Sequence, residues 1–258
     1  MALSKKLKEE LRDLIASRVL TKLKAHNFEK SSGNPFVDVM FGKYANIKYF
    51  IHGTATMMGS EYELIAVKIA KSNHAFVEAK KSEIKGKISR AERAYIGERL
   101  RKMEAKVETS DYNKEIEDIY KLSSSNLTDI RIVIDLYLKD RNGKEYFVEM
   151  KGPDPNKKEV RAAKEDLLNI VAIKKRDMTL AEFKKKIAVI FGIYYNNEKG
   201  AYKNWKVSPM FETGKGLFVQ EEFWDFLGGK GAYKDLLEVI ADVKELVVKE
   251  IENRFTNL

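Results

Sequence analysis

The chain has 258 residues and an apolar fraction of 44%, which indicates a globular protein and excludes a disordered one. It contains no cysteine, so disulfides, thiolate zinc sites and cysteine nucleophiles are excluded. No apolar run approaches the ~20 residues that a membrane span needs, and the first residues lack the pattern of a secretory signal. We therefore expect a soluble cytoplasmic protein with no membrane partner.

The net charge is +9, from 48 Lys and Arg residues against 39 Asp and Glu residues. A surplus of this size favours a polyanionic partner, because neutralising phosphates releases condensed counterions. A lysine-rich and glutamate-rich surface of a heat-adapted protein explains the same surplus. The charge alone leaves both explanations open.

The first part of the chain is predicted to be mainly helical. Apolar residues recur at helical spacing from Leu7 to Leu23, and Ser4 is a candidate N-cap of that helix. The residues around 31–35 (SSGNP) have the composition of a loop. Three further helices are predicted, at Tyr62 to Ala70, Ser89 to Lys106 and Tyr112 to Leu122.

Strands are predicted after Ser123. β-branched and aromatic residues indicate strands at Ile130 to Leu138 and Lys144 to Met150. Asn156 is expected to cap the helix that follows, with Glu159 reaching back to it. The remaining predicted elements are a central buried strand at Lys186 to Tyr195, a short helix within Val219 to Leu227 and a helix at Lys234 to Glu252.

This order of elements predicts an α/β fold, in which helices flank a mixed sheet. No flexible linker divides the chain, so we expect one domain that spans residues 1–258. Within it, residues 1–122 form a mainly helical N-terminal part. Residues 123–258 form the α/β core and the C-terminal helix.

The two strands of the predicted hairpin carry three charged residues, Asp135, Glu149 and Lys151. Glu149 and Lys151 are two residues apart on a strand, so their side chains share one face of the sheet. A two-residue Asn-Gly turn would pair Asp135 with Met150, whose side chain lies on the other face. A three-residue loop at 141–143, with its glycine in the left-handed conformation, pairs Asp135 with Glu149. We predict the three-residue loop.

Two carboxylates at cross-strand distance repel each other, and a divalent cation would remove the conflict. Mg²⁺ prefers carboxylate oxygens, water and substrate phosphate as ligands. The pattern thus predicts Mg²⁺-dependent hydrolysis of a phosphodiester, with Asp135 and Glu149 as metal ligands. Lys151 would orient the attacking water and help to deprotonate it. The alternative is an ordinary cross-strand ion pair on a solvated sheet face, because D-x₁₃-E-x-K is a weak motif.

An Asp…Glu-x-Lys pattern on a hairpin followed by a helix resembles the PD-(D/E)xK nuclease superfamily. Further stretches resemble the TdeIII family of type II restriction endonucleases, from about residue 34 to the end of the chain. These are NPF at Asn34 to Phe36, EMKGPDPNK at Glu149 to Lys157, YKNWKVSPMF at Tyr202 to Phe211 and EEFWDFLGG at Glu221 to Gly229.

The resemblance implies a prokaryotic homodimer that uses Mg²⁺ and no nucleotide cofactor to cut double-stranded DNA at a short palindrome. TdeIII-like enzymes are associated with GGNCC-type sites. The resemblance assigns Asp135 and Glu149 as metal ligands and Lys151 as the residue that orients water. A helix-borne accessory acid would be Glu61 or Glu63, of which Glu63 is the better candidate. The alternative is that both are solvated helix positions.

Other residues have weaker signals. Asp129 lies six residues before Asp135, so its side chain is on the same face of the strand but roughly 20 Å away. We interpret Asp129 as a strand-start residue and only a remote accessory candidate. Trp205, Phe223 and Trp224 are expected in the core or in a dimer interface. Polar residues beyond the buried strand are candidates to contact bases or phosphates, or are merely solvated; they are Asn196, Asn197, Lys199, Lys203 and Lys206.

Two rival functions remain open. One is a repair or junction nuclease with the same core, which would cut by DNA structure instead of sequence. The other is a catalytically silent DNA-binding protein of the same fold, although the three hairpin residues argue against it.

Overall fold

The computed structural model describes residues 2–25, 35–41, 47–123 and 125–256. The predicted loop before Pro35, including Asn34 of the NPF motif, lies outside the described residues. The elements, in chain order, are α1 (Lys5–Ala25), α2 (Pro35–Phe41), α3 (Ile47–Ser72), β1 (Phe76–Ser89), α4 (Arg90–Glu104), α5 (Tyr112–Lys121), β2 (Leu127–Asp140), β3 (Glu145–Lys151), α6 (Lys157–Lys174), α7 (Leu180–Lys186), β4 (Ile187–Ile193), β5 (Leu217–Val219), α8 (Glu221–Gly228) and α9 (Ala232–Thr256).

The chain divides into two compact units. The first comprises Met1–Ile65 together with Lys230–Leu258, and the second comprises Ala66–Gly229. The predicted helices at both ends of the chain and at the positions of α4, α5 and α6 are confirmed. The predicted helix at Tyr62 to Ala70 is the C-terminal part of the longer α3.

The first unit is built on the packing of α1 against α9. Ser4 caps α1 as predicted, because its hydroxyl accepts a hydrogen bond from the Leu7 amide at 3.2 Å. Asp235 of α9 is buried, and its carboxylate accepts from the amides of Ala2 at 2.7 Å and Leu3 at 2.9 Å. Lys8 adds an ion pair to Asp235 at 2.7 Å. One carboxylate thus ties the start of the chain to its last helix.

The second unit contains a five-stranded mixed sheet with the strand order β1-β2-β3-β4-β5. The first three strands are antiparallel, and β3, β4 and β5 run parallel. The predicted α/β class with a mixed sheet is therefore confirmed. β4 is internal and almost wholly buried, as predicted, although β3 and not β4 lies in the middle of the sheet.

The long edge strand β1 was not predicted. Its sequence, FVEAKKSEIKGKIS, is rich in charge and has few apolar residues, so neither the strand nor the helix pattern is strong. Lysines are common on edge strands because they discourage pairing with other chains. Gly86 lets β1 approach α6 closely, since a Cβ there would lie 2.5 Å from the Ile173 side chain.

Helix α6 covers one face of the sheet and α8 the other. Asn156 and Glu159 form the predicted capping box at the start of α6, with bonds of 3.0 and 2.7 Å. Lys174 of α6 forms an ion pair with Glu145 of β3 at 2.7 Å, which places α6 over the face that also carries Glu149 and Lys151. The loop from β3 into α6 therefore starts at the end of the strand that holds the predicted site.

Candidate active site

The hairpin adopts the predicted register. Leu136 pairs with Val148, which places Asp135 opposite Glu149. The Asp140 amide donates to the Lys144 carbonyl at 2.9 Å, so residues 141–143 form a three-residue loop. Gly143 has a φ of 81°, the left-handed conformation that such a loop needs. The prediction from turn chemistry is confirmed.

A β-bulge lies at the site itself. On β1, Lys81 alone separates Lys80 from Ser82, whereas their partners on β2, Tyr137 and Ile134, are separated by two residues. Asp135 and Leu136 are these two residues, so they oppose a single residue of the edge strand. Bulges re-aim side chains next to active sites. Ile134, Asp135 and Leu136 are buried in succession, as are residues 147–150 of the regularly paired β3, because helices cover both faces of the sheet at this point.

The three predicted residues come together on one face of the sheet. Asp135 and Glu149 are buried, with exposed fractions of 9% and 6%. The Lys151 ammonium lies 3.2 Å from Asp135 Oδ2 and 3.5 Å from Glu149 Oε2, and it also donates to the Met150 carbonyl at 3.0 Å. The Met150 amide donates to Asp135 Oδ2 at 2.9 Å. These contacts fix the Asp135 carboxylate, whereas the Glu149 carboxylate accepts from the Lys151 ammonium.

The electrostatics of the trio favour a bound cation. Burial, and then the neighbouring Asp135 carboxylate, raise the pKa of Glu149 to about 8. For Lys151, burial lowers the pKa, but Asp135 and Glu149 outweigh it and the pKa is raised. Lys151 is therefore a stable cation, and the raised pKa of Glu149 means that its carboxyl keeps a proton near neutral pH in the metal-free protein. A divalent ion bound by the two acids would displace that proton.

Asp166 is a fourth charged residue at this site that the sequence reasoning missed. Asp166 lies on α6 and is half-buried. Its pKa is raised to about 6 by burial and then by the charges of Glu165 and Asp135, although the Lys151 ammonium lowers it. Asp166 in turn contributes to the raised pKa of Glu149. A signal was present in the sequence, because Asp166 lies three residues after Ala163 and four before Ile170, both buried on α6.

The turn after Lys151 is clamped by a distant segment. The Tyr202 hydroxyl donates to the Pro153 carbonyl at 2.8 Å, and the Asn204 amide donates to the same carbonyl at 3.3 Å. The Asn204 amide also donates to Asp154 Oδ1 at 3.0 Å, and Lys206 forms an ion pair with Asp154. The stretch YKNWKVSPMF therefore fixes the end of β3, on which Lys151 lies.

Comparison with known proteins identifies the family of the chain. The family model for "Type II restriction endonuclease, HinfI" matches residues 1–244. The chain belongs to the HinfI family of type II restriction endonucleases. The match supports the predicted enzyme class and does not confirm the TdeIII family as such.

Curated relatives belong to the same class. The type II restriction enzyme HgiEI of Herpetosiphon aurantiacus is 25% identical over 200 residues, which cover 75% of this chain and 70% of that protein. The type II restriction enzyme HgiBI of the same organism is 24% identical over 200 residues, which cover 75% of this chain and 70% of HgiBI. HgiCII, also of that organism, is 28% identical over 207 residues, which cover 75% of this chain and 71% of HgiCII.

In this type II restriction endonuclease, the loop after β4 starts beside Lys151, since Lys151 pairs with Ile193. Asn197, Lys199 and Lys203 of that segment are exposed. The Asn196 side chain instead holds the loop together, because it donates to the Gly200 carbonyl at 2.7 Å and accepts from the Glu198 amide at 2.9 Å. The Asn196 side chain is thus less available to DNA than the exposed side chains of Asn197, Lys199 and Lys203.

Gln220 fixes the start of the same loop. It adopts a left-handed φ of 53°, which is uncommon for a residue other than glycine, asparagine or aspartate. Its side chain accepts from the Asn196 amide at 2.8 Å, and its own amide donates to the Ile193 carbonyl at 2.9 Å. The strained backbone lets one residue bond to β4 and to the loop beyond it.

Of the two accessory candidates, Asp129 lies away from the site. Asp129 is exposed on β2, opposite Lys87 and six residues, or roughly 20 Å, from Asp135. Glu63 is half-buried on α3 in the first unit, and its neighbour Glu61 pairs with Arg18 at 3.2 Å. The accessory role of Glu63 stays a prediction.

Across the described residues, no three His, Asp or Glu side chains group closely enough to form a complete metal site. Two protein carboxylates with water and phosphate are nevertheless a ligand set that suits Mg²⁺. No helix in residues 2–25, 35–41, 47–123 and 125–256 has the length and apolar character of a membrane span.

Proposed function

We propose that this enzyme hydrolyses phosphodiester bonds of double-stranded DNA at a short palindromic site, and that its catalytic residues are Asp135, Glu149 and Lys151. The observation that carries the proposal is their convergence, with the Lys151 ammonium 3.2 Å and 3.5 Å from the two carboxylates. This arrangement, on a hairpin followed by a helix, supports the proposal of a PD-(D/E)xK nuclease site.

Asp135 and Glu149 would hold the catalytic Mg²⁺. Both are buried oxygen donors on neighbouring strands, and burial, followed by the repulsion between them, raises the pKa of Glu149. A divalent ion bound there would polarise the scissile phosphate and lower the pKa of a bound water. The Met150 amide and the Lys151 ammonium hold Asp135 Oδ2 in place, so the first ligand is oriented before any ion binds.

Lys151 acts as a cation and hydrogen-bond donor. Its raised pKa keeps the amine protonated near neutral pH, so we propose that it orients the attacking water and stabilises charge on the phosphate. The sequence-based idea that it also removes a proton from water is disfavoured, because an ammonium has no free lone pair. The clamp formed by Tyr202 and Asn204 holds the strand end that carries it.

We further propose that the enzyme acts as a homodimer, because two-fold symmetry presents two active sites to the two strands of a palindrome. Val39 and Met40 on α2 and Leu237 and Leu246 on α9 are exposed apolar side chains that a dimer interface would bury. The GGNCC-like target implied by the sequence resemblance is the first sequence to test.

The test is cleavage of plasmid DNA. Wild-type protein with Mg²⁺ should give discrete fragments, whose sequenced ends define the site, and EDTA should prevent cutting. Lys151→Ala should abolish cutting and leave DNA binding largely intact. Lys144→Ala, which lies just before the opposite end of β3, is the matched control and should cut normally.

Other outcomes contradict the proposal. Normal cutting by Lys151→Ala would refute the catalytic assignment. Smeared or junction-only products would instead indicate a structure-specific nuclease, and binding without cutting would indicate a silent DNA-binding protein.

A further inference from the structure

A basic aromatic patch lies beside the turn that follows Lys151. Trp205 is 54% exposed, so it does not lie in the core, which was one of the two positions expected for it. The ammonium groups of three lysines surround its ring, with distances to the ring centroid of 5.0 Å for Lys106, 4.8 Å for Lys157 and 5.9 Å for Lys206. We call these four residues the Trp205 patch. A cavity of about 130 Å³ opens between them.

The three lysines come from three different segments, at the end of α4, at the start of α6 and after β4. Like charges that converge in this way repel one another, so the arrangement is unfavourable unless an anion binds. Lys206 pairs with Asp154, whereas in the described part of the chain no carboxylate pairs with Lys106 or Lys157. Glu104, which also lines the cavity, forms an ion pair with Arg161 instead.

Two of the lysines occupy backbone positions that disfavour them. Lys106 has a φ of 57° just after the end of α4, where glycine is the usual residue. Lys157 is the first residue of α6, where the helix dipole disfavours positive charge. Residues that persist in unfavourable positions often serve a function. Here both unfavourable placements bring an ammonium to the same exposed indole.

We propose that the Trp205 patch binds the sugar-phosphate backbone of the DNA duplex beside the scissile bond. This inference rests on the proposed function, because it uses Lys151 to locate the scissile phosphate. Lys157 lies six positions after Lys151, which limits the distance between their Cα atoms to about 21 Å. With the reach of the two lysine side chains added, the contacted phosphates lie within about one helical turn of the duplex, roughly 34 Å, from the cut.

The proposal also explains why the segment that carries Trp205 is fixed so firmly. Asn204 and Lys206, which flank Trp205, bond to Pro153 and Asp154 in the turn after Lys151. A phosphate held at the patch would therefore be held at a fixed position relative to the catalytic strand. Ammonium groups bind phosphates as point charges and carry no sequence information, so the contact would position the duplex without selecting bases.

The experiment measures DNA binding in EDTA, where no cleavage occurs, with a fluorescently labelled duplex and a series of salt concentrations. Each phosphate contact contributes about 0.9 to the slope of log affinity against log salt. Lys106→Gln and Lys157→Gln should each reduce the magnitude of the slope by about 0.9. Each should also weaken binding roughly threefold to tenfold at about 0.1 M salt, equally for unrelated duplex sequences.

The matched control is Lys144→Gln. Lys144 also lies over an aromatic ring, 5.2 Å from the centroid of Tyr146, but it precedes β3 at the strand end opposite Lys151. This variant should keep the wild-type slope. Tryptophan fluorescence provides a second readout, because Trp205 is exposed whereas Trp224 is buried. DNA should protect the wild-type protein from acrylamide quenching, and Trp205→Phe should lose that protection.

The outcomes separate the inference from the proposed function. If wild-type protein binds duplex DNA and both lysine variants keep the wild-type slope, the Trp205 patch does not contact phosphate and the inference fails alone. If wild-type protein does not bind DNA at all, the proposed function and the inference both fail.

Discussion

Replacing Glu149 by glutamine should stabilise the metal-free protein at alkaline pH while destroying its activity. Glu149 is 6% exposed, and burial together with Asp135 raises its pKa from 4.5 to about 8. Between these values the folded chain holds one proton more than the unfolded chain, so the free energy of unfolding falls as the pH rises. Glutamine has no proton to lose and removes this dependence.

The size of the effect follows from the pKa. One pKa unit corresponds to about 1.4 kcal/mol, so at pH 8 the rise from 4.5 to about 8 lowers stability by up to about 4 kcal/mol. A buried amide without a good partner offsets about half of this gain. We therefore expect Glu149→Gln to be about 2 kcal/mol more stable than wild type at pH 8 and about 1 kcal/mol less stable than wild type at about pH 5.

The assay is urea unfolding in EDTA across this pH range. Both tryptophans lie in the unit that contains the site, so their fluorescence reports its unfolding. The matched control is Glu145→Gln on the same strand, which removes the ion pair with Lys174 and should lower stability by about 1 kcal/mol or less. Adding Mg²⁺ should stabilise wild type and not the Glu149 variant. A Glu149→Gln protein that is no more stable than wild type at pH 8 would refute the electrostatic argument.

Two further predictions concern the frame of the site. Gly192→Ala should lower stability by at least about 2 kcal/mol, because its Cβ would lie 2.5 Å from the Phe223 ring. Gly97→Ala on α4, whose Cβ would meet nothing within 4 Å, should raise stability by up to about 1 kcal/mol. Thermal unfolding of both variants checks the contrast. Asn204→Ala should lower the cleavage rate about tenfold and change DNA affinity less, because it releases the Pro153 carbonyl from one of its hydrogen-bond donors. Single-turnover cleavage and equilibrium binding measure the two effects separately. A loss confined to affinity would contradict the positioning role of Asn204.

The hairpin was predictable because local rules determine it. Gly143 in a three-residue loop fixes the register, and strand periodicity then places Glu149 and Lys151 on one face. The capping box of Asn156 and Glu159 was likewise predictable, because it depends on only four consecutive residues. Such features depend on neighbours in sequence, which is why a single chain was enough to infer them.

Other features depend on tertiary packing and could not be predicted in this way. β1 is a strand because β2 pairs with it along its length, although its own pattern is weak. The bulge at Asp135 and Leu136 leaves no local signal, because it is defined by the partner strand. The exposure of Trp205 was also unpredictable, since the ring is identical in kind to the buried Trp224.

The most direct measurement of the central claim is anomalous scattering from a crystal soaked with Mn²⁺, an ion that takes the same oxygen ligands as Mg²⁺. The account predicts one strong peak bound by the carboxylates of Asp135 and Glu149, which disappears in Asp135→Asn. Anomalous density at other residues, with none between these two side chains, would contradict it.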